Sequence, residues 1–129
     1  LLANGMQIGS HTIHHVDMGQ TFLYSKALAQ QELQLSKAKL EKQLGIVIQQ
    51  FCYPSGEPFR SESLYLQQQI VALLATDGYV GATTDPGQTG IYQHSLAPFD
   101  LLRIRVDGRE TFNEFVFNLP WQRSDQTGG

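Results

Sequence analysis

Twice along the chain, a helix-length amphipathic segment ends at a glycine and hands over to a short β-rich run. In the first segment Ala29, Leu33, Ser36, Leu40 and Leu44 share one face at helical spacing, which predicts a helix over Ser25–Leu44. Ser25 can cap its start and Gly45 its end, while Glu32, Lys37, Lys39, Glu41 and Lys42 are expected on a solvated face. Ile46–Tyr53 then reads as a strand that breaks at Pro54-Ser55-Gly56. In the second segment Leu66, Ile70, Leu73 and Leu74 form the apolar stripe of a helix over Ser61–Asp77, closed by Gly78. Tyr79–Thr84 follows as a strand, stopped by Asp85-Pro86-Gly87.

The flanks continue the pattern. Leu1–Asn4 reads as a last helical turn ended by Gly5, and Met6, Ile8 and Ser10 alternate as a short strand. After an aperiodic loop reaching Phe99, Leu102, Ile104 and Val106 alternate with Arg103 and Arg105 as another strand, turned by Asp107-Gly108. Thr111 with Glu114 forms a capping box for a helix to about Leu119. Strands alternating with helices favour a parallel sheet with crossover helices, so the fold class is α/β.

A length of 129 residues suits one domain, and 41% hydrophobic with 16% charged residues is an ordinary globular composition. The net charge of −3 and the lack of a Lys/Arg cluster argue against a nucleic-acid surface. No apolar run approaches the roughly 18 residues of a membrane span. A single cysteine, Cys52, excludes an internal disulfide. The chain opens on Leu1-Leu2-Ala3, like the middle of a helix, so it is expected to be a piece of a longer protein. Residues 1–122 are expected to be part of one domain and 123–129 a flexible tail.

Three of the four histidines lie in Ile8–His15. On a helical turn His11 and His15, four apart, would share a face and could present two imidazoles to one cation. Two histidines are an incomplete catalytic zinc site, which normally has three protein ligands. The protease motif H-E-x-x-H fits poorly, because Thr12 stands where the glutamate base would be. From spacing alone, a metal pair and a surface turn without metal both remain open. His14 is expected on another face as a non-ligand, and His94 in an exposed loop.

Read together, the segments resemble one family. Ser10-His11-Thr12-Ile13-His14-His15 resembles the H-[S/T]-x-x-H motif of the polysaccharide deacetylases, the NodB-homology or family 4 carbohydrate esterases. The preceding "LLANGMQIGS" is similar to the helix and strand that lead to it, "FCYPSG" to the family's Arg-x-Pro-Tyr-Gly motif, "DGYVGATTDPG" to its following strand, and "LLRIRVDGRETFNEF" to the closing strand and helix of one branch. The order and spacing agree from Leu1 to about Leu119. The resemblance implies the C-terminal part of a distorted (β/α) barrel and a metal-dependent hydrolase. Such an enzyme removes N-acetyl groups from N-acetylglucosamine units of peptidoglycan, chitin or exopolysaccharide. It implies zinc or another divalent ion held by His11 and His15, with a third ligand outside this chain. It also implies an oxyanion donor at the backbone N–H of Ser55, substrate contacts at Tyr53 and Pro54, and a site role for Arg103.

Three departures accompany the resemblance. The Thr-Phe-Asp-Asp-Gly motif, carrying the catalytic base and the aspartate ligand, is absent. Cys52 and Ser55 replace the arginine and tyrosine of the Pro-Tyr-Gly loop, and no Leu-x-His motif follows. The alternative function is therefore a degenerate deacetylase-like module that binds glycan or a protein partner without catalysis. Read without the family, Tyr53 and Pro54 shape a strand end, Arg103 is a solvent-facing strand residue, Cys52 is a small buried residue, and Asp85 belongs to a turn. The chain alone is expected to be inactive, with the missing half of the domain or a second copy covering an open sheet edge. A secreted or cell-surface location follows from the extracellular polymers that such enzymes act on.

Overall fold

The computed structural model describes residues 2–85, 97–103 and 108–117. The expectations for His94, for the alternating strand beyond Arg103, for the helix end near Leu119 and for the 123–129 tail lie outside them.

Helix α1 spans Met18–Tyr24, α2 Lys26–Leu44, α3 Leu64–Thr76 and α4 Phe112–Phe117. The strands are β1 Gln50–Cys52, β2 Gly81–Thr84 and β3 Leu101–Leu102. They form one parallel sheet in the order β1-β2-β3, with Gln50 opposite Gly81 and Thr83 opposite Leu101. The expected strand over Met6–Ser10 narrows to a single parallel bridge between Ser10 and Phe51. Ser10 N–H donates to Gln50 O at 2.9 Å and Cys52 N–H to Ser10 O at 2.9 Å. Gly9 permits that approach, since a Cβ there would lie 3.0 Å from Gln50 O.

The two long helices form where their caps predict. Ser25 Oγ accepts from Leu28 N–H at 3.3 Å, and Gly45 closes α2 in the left-handed region at φ 68°. For α3 the capping serine is Ser63, two residues beyond the expected helix start at Ser61, accepting from Leu66 N–H. The Thr111–Glu114 capping box is present in both directions, at 2.8 and 3.2 Å. Helix α1 has no counterpart in the sequence reading. Its signal is Asp17, whose carboxylate accepts from Gln20 N–H at 3.0 Å as an N-cap.

The core lies between the sheet and α1–α3. Met18, Leu33, Ile48, Phe51, Ile70 and Leu74 are fully or almost fully buried, with the rings of Tyr53 and Tyr79 edge-on to Phe51. One expectation about α2 is overturned. Glu32 is not on a solvated face: it is 9% exposed, because the Ile13–His14 backbone packs over it and its carboxylate satisfies that backbone. Lys37 is half-buried as well, its ammonium bonded to Glu41 at 2.5 Å while Glu41 accepts from Ile48 N–H.

Candidate active site

In parallel α/β sheets, chemistry gathers at the carboxyl ends of the strands. Here each strand end delivers residues of interest. His11 follows the bridging Ser10, Cys52 ends β1 and Tyr53 to Gly56 follow it, Asp85 follows β2 and Arg103 follows β3.

His11 and His15 do converge, but not on a helical turn as expected. The segment bends, with Thr12 at φ 66° and His15 at φ 55°. For side chains with a Cβ that conformation costs about 1–2 kcal/mol each. The two rings meet edge-on, with centroids 4.8 Å apart and planes at 73°. His11 Nδ1 lies 2.6 Å from Cys52 O. A carbonyl only accepts, so Nδ1 carries the hydrogen and the lone pair is on Nε2. His14 is set apart, its Nδ1 2.6 Å from Glu32 Oε1.

The β1 loop is tightly shaped. Ser55 and Gly56 both have positive φ, at 56° and 73°, and Thr84 Oγ1 donates to Gly56 O at 2.6 Å. Ser55 is exposed, and among the described residues its N–H makes no hydrogen bond. Tyr53 and Pro54 are fully buried, and the Tyr53 hydroxyl donates to Phe99 O at 2.8 Å. Burial, reinforced by the negative charge of Asp100, pushes the phenol well above its usual range. The enclosed side chains of Tyr53 and Pro54 form the floor of the loop.

Arg103 does not face solvent. Its Nη1 lies 2.8 Å from Cys52 Sγ, and its backbone N–H donates to Thr84 O at 3.0 Å. The guanidinium thus sits over the position where the resembled motif has an arginine of its own. Arg103 Nε and Thr12 Oγ1 are buried with no partner among the described residues. Orphaned buried polar groups of this kind call for partners supplied from elsewhere. For a divalent cation the donor set is partial. Two imidazoles are in contact and one has an oriented lone pair, but among the described residues no three His, Cys, Asp or Glu side chains cluster to hold an ion.

The parallel sheet with crossover helices and its histidine pair beyond a strand end define the class of the chain as an α/β domain. The polysaccharide deacetylase family model matches residues 1–74 of the 129, more than half of the chain. The chain belongs to the polysaccharide deacetylase family. Among solved structures it is similar to the Streptococcus pyogenes deacetylase PplD in complex with acetate, with a TM-score of 0.66 and 24% identity over 85% of this chain. That likeness shows the fold, parallel α/β and part of a barrel of the deacetylase type. The chain spans 43% of the length of that structure. No curated protein matches the chain.

Proposed function

We propose that this chain contributes the histidine-bearing part of a metal-dependent deacetylase that removes N-acetyl groups from an N-acetylglucosamine polymer. The observation that carries the proposal is the bond of His11 Nδ1 to Cys52 O beside the His15 ring, since it leaves His11 Nε2 with a lone pair for a cation. In this reading His11 and His15 hold zinc or another divalent ion, with a third ligand from outside the described residues. Such a cation supplies Lewis acidity that polarises an acetamide carbonyl and makes water nucleophilic near neutral pH. The N–H of exposed Ser55, in the left-handed Ser55–Gly56 turn, donates to the oxyanion that develops on that carbonyl. Arg103 lends positive charge at Cys52 and, through Nε, holds an acceptor from the rest of the domain. We place the remainder of the domain or a second copy against the Ser10 edge, where Met6 is 57% exposed. The substrate class places the protein outside the cell or on its surface.

Zinc titration of the chain against its His11→Ala and His15→Ala variants tests the ligand pair. Binding that weakens about 10-fold or more in each variant is expected, and equal affinity in all three refutes the pair. Acetate release from N-acetylglucosamine oligomers by the parent polypeptide tests the chemistry. Zinc binding without acetate release favours a glycan-binding module instead.

A further inference from the structure

His11 and His15 are placed by different means. The His11 ring is anchored directly, through Nδ1, to the carbonyl of Cys52 on β1. The His15 ring has its contact with His11 itself, so its position follows from the backbone that carries it. That backbone departs from the helical path at Thr12 and again at His15, both left-handed. One side chain spans the interval between those two residues. Glu32 Oε2 accepts from Ile13 N–H at 2.8 Å and from His14 N–H at 3.0 Å, while Oε1 lies 2.6 Å from His14 Nδ1. One turn further along α2, Ser36 Oγ lies 2.6 Å from Ser10 Oγ, at the start of the same segment. Both side chains are buried and lie on the same face of α2. The helix therefore grips the segment at its entry and at its middle, with its most polar contact directly before His15.

We propose that Glu32 is a positioning residue for the histidine pair: its buried carboxylate, through the Ile13 and His14 amides, sets the left-handed turn that brings the His15 ring against His11. This rests on the reading of His11 and His15 as the ligand pair. Among the described residues no hydrogen bond joins Glu32 to either ring of that pair, so its effect reaches the site through the Ile13–His14 segment.

The test uses Glu32→Ala, Glu32→Gln and, as a control that removes a buried side chain of α3, Leu66→Ala. The first readout is the nuclear Overhauser contact between the His11 and His15 rings in the metal-free chain. The second is zinc affinity. Glu32→Ala is expected to lose the ring contact and to weaken zinc about 10- to 100-fold while retaining its circular dichroism. Glu32→Gln keeps an oxygen for the amides and is expected to restore both. Leu66→Ala is expected to keep both readouts. A folded Glu32→Ala with the wild-type ring contact overturns the proposal, and so does Leu66→Ala losing that contact equally. If Glu32→Ala does not fold, Glu32→Asp, whose shorter arm cannot reach the amides, takes its place with the same expected outcome. Loss of the ring contact in a chain that never binds zinc supports the positioning role and refutes the metal reading, which separates the two.

Discussion

Replacing Gly56 by alanine probes the loop that presents Ser55. Gly56 sits at φ +73°, and a Cβ there would lie 2.9 Å from Asp85 Cβ, 3.0 Å from Asp85 N and 3.2 Å from Thr84 Oγ1. Two of those three neighbours are backbone or the first side-chain atom, which cannot swing away. The third donates to Gly56 O at 2.6 Å, so loop and strand end are tied together and relief by separation breaks a buried bond. The left-handed conformation costs alanine about 1–2 kcal/mol, and forcing a methyl into packed backbone adds about 1–3 kcal/mol. Gly45 supplies the internal control. Its φ is +68°, but a Cβ there meets nothing within 4 Å, so Gly45→Ala carries the conformational part alone. Urea unfolding of the two variants, followed by circular dichroism, should therefore differ by the steric part, about 1–3 kcal/mol at equal m. Equal costs for Gly45→Ala and Gly56→Ala would refute the close approach of the β1 loop to the end of β2.

Two more outcomes follow from buried polar contacts. Burial opposes ionisation of Glu32, but the bonds from the His14 ring, the His14 amide and the Ile13 amide outweigh it and hold the carboxyl below its ordinary 4.5. Its stabilisation is therefore present above that ordinary value and lost as pH falls through the folded one. The unfolding free energy of wild type should fall more steeply with acid than that of Glu32→Gln, and parallel curves would contradict the bonds. Tyr53→Phe strands the Phe99 carbonyl and should cost about 0.5–1.5 kcal/mol in urea unfolding, with zinc affinity unchanged. A loss of zinc affinity in that variant would show that the ring does more than support the loop.

The main elements were legible in the sequence because their signals are local. Ser25 and Gly45 bracket α2, Thr111 and Glu114 cap α4, and the stripe of Leu66, Ile70, Leu73 and Leu74 marks the buried side of α3. Each pattern is written within a few residues, over one or two turns of backbone, so no distant partner is needed to read it. Helix α1 escaped because seven residues carry too short a period to stand out, leaving Asp17 as the one clue. The strand pattern over Met6–Ser10 promised more pairing than the sheet edge provides, since alternation reports the preference of a strand but not its neighbours.

His11 and His15 could be named from spacing and resemblance, but their meeting depends on left-handed turns that no periodicity predicts. The same holds for Glu32, which looks solvent-facing among charged neighbours and turns out buried because a segment 19 residues earlier in the chain folds over it. Arg103 reaches Cys52 across 51 residues of sequence, through the parallel crossover of β1, β2 and β3. Caps and stripes act between atoms that the chain keeps close in any conformation. Site geometry acts between atoms that only the assembled sheet and helices bring together, so it was settled by tertiary packing.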